Sequence, residues 1–296
     1  MRDHFTNYEM RELQALTLEQ KETRSMDRIK QFLKAVNGKA YVSFSGGKDS
    51  TVLLDLARRV EPSLLAVFSN TGLEYPEILK FVKVTENVKI IKPEKSFRRV
   101  LEDHGFPVVS KKVSQIIERF QNPSEKNALS RMKCVNKKYG HTYYLPDKWR
   151  FLVNAPFKIS AKCCDIMKKK PLAKYGKKVG LYPIIGTMAE EGGPREKSYK
   201  KYGCLIVDGD HIQARPLGFW TEKDIWGYIK KYDLSYSKIY DMGQTRTGCM
   251  FCIFGVDQET SPNKFEKIKQ THPAQYNYCI NKLGMDNVLN YIGIPY

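Results

Sequence analysis

From about residue 40 the chain alternates between two periodicities. Short apolar runs (AYVSF, SLLAVFS, NVKII) are each followed by a stretch whose apolar residues recur at helical spacing. The pattern predicts strand Ala40–Phe44, helix Ser50–Val60, strand Leu64–Ser69, helix Pro76–Thr85, strand Val88–Ile91 and helix Ser96–His104. Runs this apolar suit strands covered on both faces, so the series reads as βαβαβα around a parallel sheet. Ahead of it, Arg11–Val36 reads as one amphipathic helix ended by Asn37 and Gly38. Behind it, Phe106–Lys178 is less regular, with a loop at Asn122, Pro123 and Ser124. Order returns in GLYPIIGTMA, a buried strand ending near Gly186, and in HIQARPLGFW, a further strand. TEKDIWGYIKKY reads as a helix capped by Thr221 with Asp224 three residues on, and a helical part follows from about Asn263. The expected fold is α/β, a doubly wound, mostly parallel, Rossmann-like sheet with helical N- and C-terminal additions. The expected divisions are residues 1–38, 39–255 with a basic insertion at about 106–178, and 256–296.

Composition narrows the class. With 296 residues, 42% of them hydrophobic, the chain can fill a sizeable core. No stretch approaches the roughly 18 consecutive apolar residues of a membrane span, and the opening MRDHFTNYEMRELQ is too polar for a secretory signal. The expected compartment is therefore the cytoplasm, without a membrane. The formal net charge is +18, and Lys126–Lys201 holds 19 Lys/Arg against 5 Asp/Glu, interleaved with Tyr139, Tyr143, Tyr144, Trp149, Tyr175 and Tyr199. Such a segment suits a polyanion, although a solvated basic face or a small-anion site has the same composition.

The first strand and the next helix are joined by SFSGGKDST. Ligands of open α/β sheets lie beyond the carboxyl ends of the strands, where this turn falls. Gly46 and Gly47 allow close approach of the main chain, the N–H groups opening the helix favour phosphate, and Lys48 adds positive charge. Ser45 and Ser50 supply hydroxyls, and Asp49 can hold Mg²⁺. A Walker A loop needs four residues between its glycines and Ser or Thr directly after Gly-Lys, and neither holds here.

The turn instead resembles the PP-loop signature Ser-x-Gly-Gly-x-Asp-Ser of the adenine nucleotide α-hydrolase-like superfamily. NTGLEYPEI (Asn70–Ile78) and RPLGFWTEKDIWGYI resemble segments of the PAPS reductase family, and the resemblance spans Ala40 to about Gly255. It implies that the loops after neighbouring strands enclose an adenosine, which makes Ser69, Asn70, Thr71 and Gly186 binding candidates beside Ser45–Ser50. The intact loop is similar to that of members that cleave ATP between its α and β phosphates, which gives Lys48 and Asp49 the catalytic roles.

Seven cysteines in a chain without an export signal point to metal, cluster or redox chemistry rather than to disulfides. AKCCDIM supplies Cys163 and Cys164, and RTGCMFC supplies Cys249 and Cys252. Four thiolates of this kind suit either Zn²⁺ or an iron–sulfur cluster, and adjacent cysteines are awkward around a tetrahedral zinc. The arrangement resembles the [4Fe-4S] pattern of iron–sulfur adenylyl-sulfate reductases and of the ATP-pyrophosphatase component of DNA phosphorothioation systems. Neighbouring Lys162, Lys168, Lys169 and Lys170 favour thiolate. Cys134 lies in electropositive surroundings that suit a reactive thiol, while a core cysteine is the more common outcome.

Two departures bear on function. The resemblance to thioredoxin-dependent sulfonucleotide reductases leads one to expect a C-terminal Glu-Cys-Gly-x-His element, which YCINKLGMDNVLNYIGIPY does not carry. In GTMAEEGGPRE, Met188 stands where the family's anion-binding arginine is expected, and Arg195 and Lys197 are the nearby cations. The reading that emerges is an ATP-dependent, iron–sulfur-assisted sulfurtransferase that uses ATP and Mg²⁺ on a nucleic acid (DNA or tRNA) or nucleotide. A sulfur donor such as a cysteine desulfurase and an oligomeric state are both compatible with it. The alternatives are a sulfonucleotide reductase and a nucleic-acid-binding ATP switch without chemistry.

Overall fold

A computed structural model describes residues 4–136, 144–207 and 212–296. Tyr139 and Tyr143 of the basic segment, and His211 at the head of the strand expected in HIQARPLGFW, lie outside the described residues. In chain order the elements are helices α1 (Asn7–Ala15) and α2 (Leu18–Ala35), strand β1 (Ala40–Ser43), α3 (Lys48–Val60), β2 (Ala66–Ser69), α4 (Pro76–Val84) and β3 (Val88–Ile91). Then come α5 (Phe97–His104), α6 (Lys111–Gln121), α7 (Glu125–Val135), α8 (Lys170–Val179), β4 (Tyr182–Ile185) and α9 (Gly193–Tyr202). The short strands β5 (Leu205–Ile206) and β6 (Gln213–Ala214) precede α10 (Glu222–Lys231), α11 (Lys264–Thr271), α12 (Pro273–Asn277) and α13 (Met285–Tyr291).

Two compact units make up the chain. The first comprises Met1–Asn70, Glu74–Lys92 and Lys170–Thr247, and the second Thr71–Leu73, Pro93–Lys169 and Gly248–Tyr296. The first holds the whole sheet, in the order β3-β2-β1-β4-β6-β5. Every neighbouring pair is parallel except β5 with β6. The order runs from β1 toward β3 on one side and toward β4 on the other, so the direction of winding switches between β1 and β4. Ser43 pairs with both Val67 and Ile185, which brings the loops after β1, β2 and β4 out at one level. Among the described residues no helix is long and apolar enough to cross a membrane.

Local chemistry explains where the elements begin and where they depart from the pattern. The single helix expected at Arg11–Val36 is two helices, because Thr17 opens a capping box with Gln20 and restarts the helix after Leu16. In α3, Val52, Leu53, Leu56 and Ala57 are fully buried against the sheet, each large side chain contributing about 1.5–3 kcal/mol of transfer free energy. The strand expected at HIQARPLGFW shrinks to Gln213–Ala214. Pro216 has no N–H for a ladder, and the chain turns so that Gly218 lies on the Tyr199 ring, where a Cβ would sit 1.8 Å from Cε2. The stretch read as irregular contains α6 and α7, capped at Ser110 and Ser124 and joined by the expected Asn122–Ser124 loop. In the second unit, Val100, Ile116, Ile117, Leu152, Met285 and Val288 are buried.

Candidate functional site

The turn after β1 is built by its own side chains. Gly46 has φ +72°, a left-handed conformation natural to glycine, and a Cβ there would meet Val82 Cγ2 at 2.8 Å and Ile78 Cγ2 at 2.9 Å. Gly47 is the N-cap of α3 and makes no side-chain cap. Its close neighbours come from far along the chain: a Cβ on Gly47 would lie 2.5 Å from Thr247 Oγ1 and 3.2 Å from the Tyr240 hydroxyl. The Ser45 N–H donates to Ser50 Oγ (3.2 Å), the Gly47 N–H donates to Ser45 Oγ (3.3 Å), and the hydroxyls of Ser50 and Thr51 donate to the Gly47 carbonyl. Both serine hydroxyls therefore hold the shape of the turn. The Lys48 N–H donates to the Tyr240 hydroxyl at 2.8 Å. As at any helix start, the N–H groups of Asp49 and Ser50 have no acceptor within α3.

Charge gathers on the same turn. Lys48 is buried, its Nζ 3.2 Å from Glu222 Oε1, 3.7 Å from Asp49 Oδ1 and donating to the Thr245 carbonyl at 3.2 Å. Asp49 Oδ1 is buried and accepts no hydrogen bond. Burial raises the Asp49 carboxyl above the usual range, Lys48 and Arg195 oppose the shift, and Glu222 adds to it. A buried carboxylate oxygen that accepts no hydrogen bond, beside a helix N-terminus, fits a divalent cation that would accompany a polyphosphate. Burial lowers the Arg195 guanidinium, and Arg246 beside it acts in the same direction, so two arginines share this edge of the turn.

Gly186 follows β4, and a Cβ there would touch the Asp49 carbonyl at 3.4 Å, so the two loops at the switch point meet. The structure thus gathers Ser45, Gly46, Gly47, Lys48, Asp49, Ser50 and Gly186 in the first unit. Asn70 directly follows β2, its N–H donating to the Ile91 carbonyl, while Thr71 belongs to the second unit, where its Oγ1 accepts from the Leu73 N–H. Met188, at the position expected for an arginine, is buried. Tyr240, Thr247, Glu222 and Arg246 were not legible as site residues, since no local spacing ties them to the glycine turn.

The four paired cysteines all lie in the second unit. Cys163, Cys164, Cys249 and Cys252 line one hollow with Leu73, Phe97, Pro107, Met167 and Lys168, enclosing about 310 Å³ of empty space including its mouth. A Cys163 hydrogen bond to Cys164, with burial, raises the Cys163 thiol. The same hydrogen bond lowers Cys164, and Lys111, Lys168 and Lys169 assist. The pair thus presents thiolate at Cys164 with cations nearby. Lys264 Nζ donates to the carbonyls of Cys249 (2.5 Å) and Cys252 (3.4 Å), fixing the C-x-x-C turn. Among the described residues no three His, Cys, Asp or Glu side chains converge as a single-ion site requires. Tetrahedral zinc, with Zn–S near 2.3 Å, would draw its sulfurs to about 3.8 Å of one another. Four cysteines around one apolar hollow are a donor set for a soft metal centre, zinc or an iron–sulfur cluster. Cys134, Cys204 and Cys279 are buried, so Cys134 is a core residue and not an accessible thiol.

The phosphoadenosine phosphosulfate reductase domain model matches residues 39–137 and 113–254. The chain belongs to this family. Within the phosphoadenosine phosphosulfate reductase family it is 25% identical over 227 residues to adenosine 5'-phosphosulfate reductase 2 of Bacillus subtilis, covering 77% of this chain and 78% of that protein. It is also 28% identical over 276 residues to an uncharacterized protein of Methanocaldococcus jannaschii; the match covers 90% of this chain but only 53%, about half, of that relative's length. Among solved structures, the phosphoadenylyl-sulfate reductase of Candida auris in its phosphate complex aligns with a TM-score of 0.43 at 13% identity, over 84% of this chain and 98% of that one.

Proposed function

We propose that this member of the phosphoadenosine phosphosulfate reductase family is an ATP pyrophosphatase that adenylates an oxygen of a nucleic-acid or nucleotide substrate and so prepares it for replacement by sulfur. One observation carries the reading. The glycine turn joins a helix N-terminus, a buried lysine and a carboxylate whose buried oxygen pairs with that lysine at 3.7 Å but accepts no hydrogen bond, at the switch point of the sheet. That is the equipment for a polyphosphate and its cation.

Transfer at phosphorus needs positioning and charge neutralisation more than covalent help from the protein. The turn's amides and Lys48 would hold the β and γ phosphates, and Asp49 would hold Mg²⁺. The substrate oxygen forms a bond to the α phosphorus, the α–β bridging bond breaks, and pyrophosphate leaves. Sulfur then bonds to the atom that carried the oxygen while AMP departs with that oxygen; where the donor is the persulfide of a cysteine desulfurase, a second thiol reduces the resulting disulfide and leaves with the donor's inner sulfur as a disulfide. Cys163, Cys164, Cys249 and Cys252 would hold the iron–sulfur cluster, which when bound supplies a site for sulfur or for electrons. Arg195 and Arg246 bring positive charge to the edge of the turn where substrate phosphate would approach.

The named Bacillus relative favours a second reading, reduction of adenylyl sulfate. Anaerobically reconstituted protein separates the two. Pyrophosphate release from ATP in the presence of oligonucleotide supports the first reading, and sulfite release from adenylyl sulfate with no pyrophosphate from ATP refutes it.

A further inference from the structure

The second unit carries an aromatic ladder on its surface that neither the glycine turn nor the cysteines explain. Trp149 and Phe151 lie on the 3₁₀ turn Asp147–Asn154, and Tyr291 closes α13. Ring centroids run 6.2 Å from Trp149 to Phe151, 5.6 Å from Phe151 to Tyr291 and 5.4 Å from Tyr291 to Phe157. Phe151 is 43% exposed and Tyr291 36%, and the Tyr291 hydroxyl donates to the Phe151 carbonyl at 3.4 Å, which ties the two elements together. Phe151 and Tyr291 thus leave aromatic surface in water, backed by the half-buried rings of Trp149 and Phe157.

The surrounding charge indicates what would cover it. Lys148 and Arg150 stand on the same turn as Trp149 and Phe151, Arg150 pairing with Asp147 at 2.9 Å, and Lys158 follows Phe157 in the chain. Lys148 Nζ lies 5.0 Å from the centre of the Trp149 ring, and Arg150 lies over Tyr144 at 5.8 Å. Protein–protein interfaces are depleted in lysine, whereas stacking rings edged by cations recur where unpaired bases bind.

We infer that Trp149, Phe151 and Tyr291 form a stacking platform for unpaired bases of a single-stranded or looped nucleic acid, with Lys148 and Lys158 beside its phosphates. This rests on the proposed nucleic-acid substrate and gives it a docking surface. Base faces stack on the rings without regard to sequence, and phosphates between them meet the lysines, so binding is salt-dependent. A duplex, with its bases already stacked, gains little from the rings.

The test uses the full chain without ATP, so failure of the nucleotide chemistry leaves its outcome readable. Fluorescence anisotropy would compare labelled single-stranded RNA and DNA of about twelve nucleotides, within the usual span of such platforms, with the matching duplexes. Single strands are expected to bind more tightly and to quench Trp149 fluorescence, which Trp149→Phe removes. Phe151→Ala should weaken binding about five-fold or more, and Phe151→Tyr should restore it while Phe151→Leu does not. Lys148→Ala should reduce the salt slope by about 0.7. Unchanged binding by Phe151→Ala, rescue by Phe151→Leu, equal affinity for duplex, or no binding by the wild type would each overturn the inference. So would a dimer that Phe151→Ala disperses, since it would place a second copy on the rings. No single-strand binding by the wild type with pyrophosphate release intact would retire the platform alone, and binding as expected with no pyrophosphate release from ATP would retire the ATP chemistry alone.

Discussion

Replacing Gly47 by alanine tests how tightly the nucleotide turn is packed. Gly47 has φ −82° and ψ 160°, so alanine is not strained there and the effect comes from packing. The new Cβ would stand 2.5 Å from Thr247 Oγ1, 3.2 Å from the Tyr240 hydroxyl and 3.3 Å from Ser45 Oγ. The first separation is untenable, so Thr247 or the turn must move. Overpacking of this kind costs about 1–3 kcal/mol. At about 2–4 °C per kcal/mol in a large domain, thermal denaturation should show a drop of several degrees. A displacement near 1 Å at a phosphate-positioning turn costs turnover about 100-fold. Thr247→Ala removes the offending oxygen and, with it, a 3.2 Å hydrogen bond to Tyr240 worth about 1 kcal/mol. The double variant should therefore be more stable than the sum of the single effects by over about 0.5 kcal/mol, beyond the scatter of independent sites. Strict additivity, or full turnover in Gly47→Ala, would refute this packing of the turn.

Other outcomes follow from the same geometry. Burial raises the Asp49 carboxyl, so ionising it opposes folding; that penalty is absent below the carboxyl's ordinary range and complete once pH exceeds the raised value. Asp49→Asn should accordingly abolish turnover yet raise the melting temperature at neutral pH, with the gain fading in acid; an equal or lower melting temperature at neutral pH would contradict the assignment. Lys264→Met removes the ammonium that joins the Cys249 and Cys252 carbonyls, and iron and sulfide analysis after anaerobic reconstitution should show lower content with the fold retained. Cys249→Ser should lower it further, and stoichiometric zinc in colourless wild-type protein would count against the cluster.

What the sequence made legible is what local chemistry encodes. The run Ala40–Phe44 broken by Gly46 and Gly47, the apolar spacing that begins after Ser96, and the capping box at Thr221 placed β1, α5 and α10 correctly because each signal lies within a few residues of its effect. Helix α9 escaped notice since Tyr199 is its only buried side chain and a helix polar on nearly every side has no apolar period. Helix α6 carries a clear stripe, Val113, Ile116 and Ile117, that its basic surroundings obscured. The cysteine pairs were readable as pairs. Tyr240 and Thr247 beneath the glycine turn, and Lys264 on the C-x-x-C turn, come from distant segments that only folding unites with the site.

The most direct test of the central claim follows ATP labelled separately at its α and γ phosphates during turnover with an oligonucleotide substrate. Cleavage at the α–β bond predicts AMP and intact pyrophosphate in equal amounts, both lost in Asp49→Ala. Release of ADP and orthophosphate, or pyrophosphate formation that Asp49→Ala leaves unchanged, would contradict the account.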